Sequence, residues 1–391
     1  AGKIDKPMKV LFFSAWYPHR YDAMAGLFVR KHAEAVSQFA DVCVLFPFAD
    51  EHVHKFEIVE QKFGAVTEIY VYYPFCKNRF FRKLSSNINC WRAFRKGYKR
   101  VLNSFGQPDI CNDNVLTFSG FLAYWLKMVY HIPYVVTEHW SGYLEQNGSF
   151  EQQNSLKKWL MRKMARKAGA LMPVSKILEN KMLQCGLYND TYVRIDNVVD
   201  DFFYLPHEKQ SHRKKRILHI SCFDEKAKNI CGMLRAIKQV SLQRQDFEFV
   251  IVGTGADFQM VVDYAKSLNF PVGMVQFIGE QTPEEVCEWF YQSDFFLFFS
   301  NYETAGVVIS ESLVCGKPVI STPVGIAPEV ICADNGRLVP IGNEVGLCEQ
   351  IGWMLVHFKE FNQEKIKQIG QQFTYAEVGA KLMRVYQNAF F

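Results

Sequence analysis

Short runs of β-branched and aromatic residues recur along the chain, separated by longer segments with helical spacing of apolar positions. In the first half, these runs span residues 10–14, 42–46, 69–73, 134–137 and 171–174. A polar stretch at 206–216 interrupts the pattern, which resumes at 217–221, 247–253, 275–278, 295–299 and 319–321. This alternation is typical of βαβ units. It predicts an α/β protein with two Rossmann-like, doubly wound parallel-sheet domains, residues 1–205 and 206–391.

The chain length of 391 residues fits two domains of ordinary size. Open parallel sheets bind ligands outside the carboxyl ends of their strands, so we expect sites in the loops after predicted strands and an interdomain cleft. No apolar run approaches the roughly 18 residues that cross a bilayer. Hydrophobic residues make up 49% and charged residues 22%, so the composition favours neither disorder nor a fibrous protein.

Positive charge is concentrated in the first half, where residues 1–200 hold 27 Lys and Arg against 18 Asp and Glu. The segment from Lys77 to Arg100 carries nine basic residues, no acidic one and several aromatic ones, and six more basic residues lie at 157–167. One interpretation is peripheral contact with anionic lipid or with an anionic acceptor. The other is a solvated helix face with aromatic residues in the core. No nucleic-acid-binding module accompanies the charge, so no nucleic-acid partner is expected.

The eleven cysteines contain no Cys-x-x-Cys spacing, and the chain starts without a signal-like segment. We therefore expect reduced, mostly buried thiols and a cytoplasmic protein, with peripheral attachment to the inner face of the membrane as an extension. No Asp-x-Asp cluster is present, and the pair His52 and His54 lacks convincing partner ligands. The expected chemistry is therefore independent of metal.

The run from Phe295 to Thr322, FFLFFSNYETAGVVISESLVCGKPVIST, carries the most informative pattern, a buried strand, a loop, a helix and a further strand. Glu303 lies in the loop, Gly306 and Val307 lie at the predicted helix start, and Glu311 lies within the helix. Eight helical residues turn through about 800° and rise about 12 Å, which would leave the two glutamates roughly 80° apart. They are then too distant for a close acid/base pair. Free amides at the helix start suit a phosphate, so the pattern predicts a diphosphate flanked by two sugars.

The surroundings of these glutamates, SNYETAG, ESLVCGKPVIST, PVGIAPEVI and NGRLVP, resemble the retaining glycosyltransferase family 4, which has the GT-B fold and a Glu-x7-Glu signature. The opening SAWYPHRYDAMAGLFVRKHAEAV resembles the glycine-loop segment of that family, so the resemblance covers most of the chain. It implies that Glu303 touches the donor sugar and that Glu311 binds the ribose hydroxyls. It further implies glycosyl transfer from a nucleoside diphosphate sugar, with retention, and a final helix that crosses back onto the first domain.

The same resemblance assigns further donor-site residues. Lys228 takes the place of the lysine on the donor diphosphate, whereas Cys222 stands where the family has an arginine, with helix ends, Arg30 or Lys226 as replacements. Gly26 lies in the phosphate-approaching loop after the first strand, and His139 matches a histidine beside the donor sugar. Lys228 is also interpretable as a solvated lysine, Gly26 as a turn glycine and His139 as a local structural residue satisfied by Glu138.

The segment IVGTGADF, with Gly253, resembles the glycine turn of the family near the nucleotide. Three other functions stay open. A sugar-nucleotide 2-epimerase shares this architecture and needs no acceptor, and a non-catalytic nucleotide-sugar-binding protein would explain the missing arginine. A dinucleotide-dependent oxidoreductase is disfavoured, because Phe258 replaces the third glycine of its fingerprint. For a transferase, the expected acceptor is a glycan or lipid-linked glycan of bacterial surface polysaccharide or glycolipid synthesis.

Overall fold

The protein forms two compact units. A computed structural model describes residues 7–75, 82–208 and 213–390. The first unit comprises Ala1–Val174, Glu179–Val198 and Tyr375–Phe391, and the second comprises Ser175–Leu178 and Val199–Thr374. The second unit thus starts a few residues before the polar stretch at 206–216, and the end of the chain returns to the first unit.

The first unit contains a seven-stranded sheet of order β3-β4-β2-β1-β5-β6-β7. All pairs are parallel except β3 with β4, which are antiparallel. The strands are β1 (Lys9–Ser14), β2 (Asp41–Asp50), β3 (Glu57–Phe63), β4 (Val66–Pro74), β5 (Ile110–Asn114), β6 (Tyr134–Glu138) and β7 (Leu171–Pro173). The accompanying helices are α1 (Leu27–Ser37), α2 (Arg82–Ser104), α3 (Phe118–Tyr130), α4 (Ser155–Lys167) and α5 (Lys176–Gln184).

The second unit contains a fully parallel six-stranded sheet of order β10-β9-β8-β11-β12-β13. Its strands are β8 (Lys215–Ile220), β9 (Phe247–Val252), β10 (Val275–Gly279), β11 (Phe295–Phe298), β12 (Val319–Ser321) and β13 (Gly336–Leu338). Its helices are α6 (Glu225–Lys228), α7 (Ile230–Ser241), α8 (Phe258–Ser267), α9 (Pro283–Tyr291), α10 (Val307–Val314), α11 (Ala327–Val330), α12 (Glu344–His357) and α13 (Gln363–Gly370).

Both sheets share one strand order. Counting the parallel strands of each unit along the chain, the order is 3-2-1-4-5-6, the arrangement of doubly wound nucleotide-binding folds. The order reverses between β1 and β5 in the first unit and between β8 and β11 in the second. The prediction of two doubly wound parallel sheets is therefore confirmed, and each sheet has a switch point at which ligands commonly bind.

Three strands were not predicted from the hydrophobic runs. β5 is entirely buried, yet its second half is polar, Asn112, Asp113 and Asn114. β3 is largely exposed on the sheet edge, so it carries no apolar run. The third is β13, which has only three residues. The predicted strands were found because helices cover both faces of a parallel sheet and make its central strands continuously apolar.

The C-terminal helix α14 (Tyr375–Phe390) packs in the core of the first unit through Val378, Leu382, Val385 and Tyr386. Tyr386 OH accepts a 2.6 Å hydrogen bond from Asn112 Nδ2 in β5. At Gly379 the helix approaches α1 so closely that a β-carbon would stand 2.3 Å from the carbonyl oxygen of Ala35. Glycine at this position is therefore a packing requirement.

Replacing Gly379 with alanine is expected to destabilise the first unit by about 1–3 kcal/mol, because the methyl group forces α14 away from α1. The matched control is Gly352→Ala in α12, where no atom lies within 4 Å of an added β-carbon. Alanine is the better helix former, so the control should gain up to about 1 kcal/mol. Thermal unfolding of both variants measures this contrast. An unchanged melting temperature in Gly379→Ala would contradict the close packing of the two helices.

Candidate functional site

The loops after β8 and β11 lie side by side in the second unit, because these strands are neighbours at its switch point. Ile217 pairs with Phe295, and Leu218 pairs with Phe296. Connections leave toward opposite faces of the sheet on the two sides of a switch point, which opens a crevice between the loops. Lys228 and Glu303 follow these two strands, so the fold brings together residues 75 positions apart.

Lys228 and Glu303 form an ion pair in this crevice. Lys228 Nζ donates a hydrogen bond to Glu303 Oε1, and each side chain is only 14% exposed. Ser300 Oγ donates to the same oxygen at 3.3 Å. Burial alone lowers the pKa of Lys228, but attraction to Glu303 and then to Cys222 outweighs burial and raises this pKa. Lys228 is therefore a cation at neutral pH, paired with the carboxylate of Glu303.

The short helix α6 places Lys228. Asp224 caps its start by accepting from the amide of Ala227 at 3.4 Å, and Asn229 ends it in the left-handed conformation with φ of 50°. The Glu225 carboxylate accepts from the first two amides of α7 at 2.8 and 2.9 Å. Two consecutive helix ends are thus satisfied by side chains, which fixes the turn that carries Lys228.

Hydrogen bonds join the two loops directly. The backbone amide of Asn301 donates to the carbonyl oxygen of Ala227 at 2.7 Å, and Asn301 Nδ2 donates to that of Lys226 at 2.9 Å. Thr322 Oγ1 donates to the carbonyl oxygen of Ser300 at 2.6 Å. The spacing of Lys228 and Glu303 is therefore held by the backbone around them as well as by their own contact.

The N-terminus of α10 lies on the same loop as Glu303. Gly306 precedes the helix with φ of 79°, a left-handed conformation that favours glycine, and no side chain caps the helix start. Val307 is the first helical residue and is partly buried. The leading amides of α10 and its positive dipole end form an arrangement that suits an anion.

The predicted geometry between Glu303 and Glu311 was wrong. Because α10 starts at Val307, only four of the eight steps between the glutamates are helical, and Glu311 lies just over one turn inside the helix. Four helical steps turn about 400° and rise about 6 Å, so the offset of roughly 80° and 12 Å does not apply. Glu311 is partly buried, and its carbonyl oxygen accepts from the amide of Cys315 at 3.0 Å. Its ribose contact stays a prediction.

Cys222 and Gly253 flank the loop after β8. Cys222 is an exposed free thiol, so the structure places no cation at the position where the family has an arginine. Gly253 has φ of 127°, and a β-carbon there would stand 1.9 Å from the carbonyl oxygen of Ser221. Glycine is thus required by close backbone packing between the β8 and β9 loops, a reason that holds without any nucleotide.

His219, in β8, is a site residue that the sequence analysis missed. Its Nδ1 lies 2.8 Å from the carbonyl oxygen of Leu297, so this nitrogen carries the proton and donates. Its Nε2, 2.7 Å from Ser221 Oγ, then accepts from that hydroxyl. Complete burial lowers the pKa of His219 to about 4. This neutral histidine ties β8 to β11 directly beneath the crevice; a lone histidine in the apolar run RILHIS was its only signal.

Gly26 and His139 lie in the first unit, after β1 and β6. Gly26 has φ of 59°, and a β-carbon would stand 2.3 Å from the carbonyl oxygen of Trp16. The ring of His139 is buried, and its centroid lies 4.2 Å from that of the Phe28 ring and 5.5 Å from that of the His32 ring. Burial, and then His32, hold the pKa of His139 well below its usual value, so the ring is neutral.

Glu138 accepts from the backbone amide of His139 at 2.9 Å rather than from its ring. Within the described part of the chain, the ring Nε2 has no hydrogen-bond partner. The local role that the sequence suggested for His139 therefore does not account for its side chain. The placement of this residue beside a donor sugar stays a prediction, as does the phosphate contact at Gly26.

Of the cations suggested as replacements for the missing arginine, Arg30 is already paired. It donates from Nε and Nη2 to the buried Glu68 at 2.9 and 3.2 Å. Lys226 is exposed, and its carbonyl oxygen receives the Asn301 side chain. Of the suggested replacements, the start of helix α10 is the one that lies on the same loop as Glu303, and its role in place of the arginine stays a prediction.

The basic segment from Lys77 to Arg100 separates into two layers in α2. Residues 76–81 lie outside the described part of the chain. Further along, Phe94 and Tyr98 are buried in the core, whereas the basic side chains are exposed at Arg92, Arg95, Lys96, Lys99 and Arg100. The aromatic residues of α2 thus serve packing, with Tyr98 5.6 Å from Tyr130 of α3.

The most exposed apolar side chains of this region lie on the neighbouring helices, whereas Ile88 and Leu102 of α2 are 43% and 39% exposed. On α4, Leu156 is 73% and Trp159 55% exposed, and Lys163 Nζ lies 5.1 Å from the Trp159 ring centroid. On α3, Met128 is 60% exposed, and Lys127 Nζ donates to the carbonyl oxygen of Lys167 at 2.6 Å. We call these exposed side chains of α2, α3 and α4 the basic face.

Among the residues that the structure describes, no three His, Cys, Asp or Glu side chains converge as a metal site. Metal independence stays a prediction. Among the same residues, no helix is both long enough and apolar enough to span a bilayer.

Two family models match the chain one after the other. The Glycosyltransferase Family 4 model matches residues 29–201, and the Glycosyl transferases group 1 model matches residues 204–368. Together they account for most of the chain and correspond to its two units.

Three similar proteins illustrate the range of relatives. N-acetyl-alpha-D-glucosaminyl L-malate synthase of Bacillus anthracis is 30% identical over 186 residues, 45% of this chain and 48% of that protein, so the chain matches about half the length of this relative. An uncharacterized glycosyltransferase of Methanocaldococcus jannaschii is 24% identical over 97% of this chain and 98% of its own. Alpha-monoglucosyldiacylglycerol synthase of Streptococcus pneumoniae is 25% identical over 55% and 52%.

Solved structures share the fold across nearly the whole chain. Sucrose-phosphate synthase from Thermosynechococcus elongatus has a TM-score of 0.76 at 17% identity and covers 98% of this chain and 99% of that chain. HepE of Anabaena, solved in complex with UDP, has a TM-score of 0.72 at 17% identity over 97% and 100%. These likenesses show that the fold is GT-B.

The depressed pKa of His219 predicts a loss of stability in acid. Between pH 6.5, the usual pKa of histidine, and about pH 4, His219 is protonated in the unfolded chain but neutral in the native protein. The free energy of unfolding therefore falls as the pH falls. The loss should reach about 3 kcal/mol. His219→Gln should be less stable than the wild type at pH 7, but this gap should narrow toward pH 4. Melting temperatures measured between pH 7 and pH 4 test this prediction, and His357→Gln, at a partly exposed histidine, is the control. The prediction is refuted if the melting temperatures of the wild type and of both variants change with pH in parallel.

Proposed function

Because the chain belongs to glycosyltransferase family 4 and has the GT-B fold, we propose that it transfers a glycosyl group from a nucleoside diphosphate sugar to an acceptor hydroxyl, with retention. The observation that carries the proposal is the ion pair of Lys228 and Glu303 beside the uncapped start of α10. A cation, a carboxylate and a helix N-terminus at a switch point suit a ligand with a diphosphate and a sugar.

Lys228 would act on the leaving group. As the bond between the sugar and the diphosphate breaks, its electron pair passes to the phosphate oxygen, where negative charge grows. Lys228 and the leading amides of α10 are positive groups that stabilise this charge. Glu303, released from Lys228 by the diphosphate, would accept hydrogen bonds from the hydroxyls of the donor sugar. The departing phosphate would take the proton of the acceptor hydroxyl, so no side chain is assigned as a base.

Cys222 leaves the diphosphate with one cation fewer than the family pattern. A charge-assisted hydrogen bond contributes about 1.5–3 kcal/mol, so its absence should be measurable. The amides of α10 are the compensation that the second unit itself offers. Glu311 would hold the ribose from α10, as the family resemblance implies.

UDP is the nucleotide to test first. The structural neighbour HepE was solved with UDP, and the similar protein of Bacillus anthracis is named for N-acetylglucosaminyl transfer. A screen of UDP, GDP and ADP sugars by calorimetry would establish the base and the sugar. Donor incubated alone then separates a transferase from a 2-epimerase, because slow hydrolysis releases free nucleotide whereas epimerisation yields a second nucleotide sugar.

Lys228→Ala should weaken binding of the nucleoside diphosphate by about tenfold to a hundredfold, the equivalent of one buried charge-assisted contact. The matched control is Lys266→Ala in α8 of the same unit, whose side chain is 72% exposed and whose loss should leave binding unchanged. Calorimetry with UDP and with uridine separates the effects, since uridine lacks the diphosphate. Equal loss of affinity for both ligands would mean that Lys228 acts through folding of the loop rather than on phosphate.

Cys222→Arg provides the opposite test at the same position. If the family pattern describes this crevice, the added guanidinium should strengthen UDP binding by several-fold and leave uridine binding unchanged. Weaker UDP binding by this variant would contradict the assignment of Cys222 to the diphosphate.

We further propose that the acceptor is lipid-linked and that the basic face contacts anionic membrane. Across α4, six basic residues and no acidic one accompany the exposed Leu156 and Trp159. Apolar side chains surrounded by Lys and Arg suit the boundary between lipid headgroups and acyl chains. The name of the similar alpha-monoglucosyldiacylglycerol synthase refers to a diacylglycerol lipid, which supports the proposal.

Cosedimentation with vesicles tests the basic face. The wild type should bind phosphatidylcholine vesicles that contain phosphatidylglycerol, bind pure phosphatidylcholine weakly, and lose binding as salt rises. Leu156→Ser with Trp159→Ala should reduce anionic binding by about tenfold or more, since two apolar side chains leave the lipid. Leu242→Ser, which removes a leucine that is 69% exposed in the second unit, is the control. Equal binding to both vesicle types would overturn the proposal.

A further inference from the structure

A cavity of about 290 Å³ lies in the first unit, and Arg30, which pairs with Glu68, is the one wall residue that the sequence also suggested for the donor. It opens near the carboxyl ends of β1 and β4, the edge of a parallel sheet at which ligands commonly bind. The polar and aromatic side chains in its wall are His19, Arg20, Arg30, Gln61, Tyr70 and Tyr72.

The extra strand β3 forms one wall of this cavity. The two units share the order 3-2-1-4-5-6, and the first unit adds β3 to its edge as an antiparallel partner of β4. Val59 and Gln61 reach the cavity from this strand. The addition therefore distinguishes the first unit from the second at the place where the cavity is built.

A buried carboxylate holds three of the wall residues. Glu68 is 1% exposed and accepts from Gln61 Nε2 at 2.8 Å, from Arg30 Nε at 2.9 Å and from Tyr70 OH at 3.0 Å. Tyr17, which is not a wall residue, also donates from its OH to Glu68 at 2.6 Å. A buried ion pair contributes little to stability compared with apolar packing. What this network does provide is a wall of polar groups fixed in position before a ligand arrives.

Each arginine in the wall is already paired with a carboxylate. Arg30 is paired with Glu68, and Arg20, whose guanidinium lies 3.5 Å from the Tyr72 ring centroid, is paired with Glu57 at 2.9 Å. Arg20 remains 33% exposed. A phosphate or carboxylate ligand would meet arginines that are already neutralised, so the cavity has no surplus positive charge for an anion. A neutral ligand fits this balance better.

We propose that the cavity binds a neutral sugar ring of the acceptor. This inference rests on the proposed glycosyl transfer and adds the substrate class. The wall presents guanidinium donors beside the Gln61 Oε1 acceptor, and a sugar hydroxyl is both donor and acceptor. Tyrosine rings supply apolar surface for the C–H face of the sugar. The volume is near the lower end of ligand pockets, about 300–1,000 Å³, and suits a terminal ring rather than a long chain.

Binding without any donor tests the cavity independently of catalysis. The probes are the methyl glycosides of glucose, galactose, mannose and N-acetylglucosamine, with glucose 6-phosphate and L-malate as anionic comparisons. Saturation-transfer NMR on the full chain should show binding of at least one neutral glycoside. Arg20→Ala and Gln61→Ala should each weaken it about tenfold, the equivalent of one hydrogen bond to a charged or preorganised group.

Arg100→Ala is the matched control, because Arg100 pairs with Glu60 on the same strand β3 but lies outside the cavity wall. This variant should bind the glycoside as the wild type does, and all three variants should keep wild-type affinity for UDP. Preferential binding of glucose 6-phosphate or malate, or a wild-type response in both cavity variants, would overturn the sugar assignment. Intact saccharide binding combined with failure of every nucleotide sugar to bind would instead contradict the proposed transfer and leave the cavity standing.

Discussion

The hydrogen bonds from Asn301 to the backbone of α6 are the constraint on which the candidate site depends. They join the loop after β11 to the loop after β8, one between two main-chain atoms and the other from the Asn301 side chain to the main chain. With the loops joined, Lys228 and Glu303 can be taken partly out of water as a pair. Separation of the loops would leave each charge half-buried and alone, which is costly.

Two other contacts bring strands and loops together near this junction, one at a glycine in the loop after β9 and one at a buried histidine in β8. Gly253 lets the β9 loop approach the main chain at Ser221, and His219 bridges β8 and β11 through the Leu297 carbonyl group. Both features serve the close approach of neighbouring strands and loops. The residues that would touch a ligand thus stand on a base that needs no ligand to be formed.

The two units use the same strand order for different purposes. The second unit keeps six parallel strands and places charge at its switch point. Its counterpart buries polar residues at the ends of β5 and β6, adds β3 to its edge and builds a charge-balanced cavity there. Positive charge is carried on the helices of the first unit, where α2 and α4 expose it beside apolar side chains. These differences are what a donor side and an acceptor side would need.

The sequence by itself determined the fold class and pointed to the candidate residues in the loops of the second unit. Parallel strands covered by helices must be apolar, so the central strands were visible as runs, and the loop residues Lys228, Glu303 and Gly306 stood directly after them. Tertiary structure decided everything that depends on distant neighbours. The polar strand β5 lies between β1 and β6 in the interior of the sheet, and Arg30 is neutralised by Glu68, 38 positions away. The start of α10 at Val307 lies where the sequence placed it, and the predicted offset of Glu311 was wrong because all eight steps between the glutamates were counted as helical. The local pattern of apolar and polar residues indicates which residues lie inside a helix or strand. Which charged group or strand pairs with which depends on contacts between distant parts of the chain, and only the tertiary structure makes these.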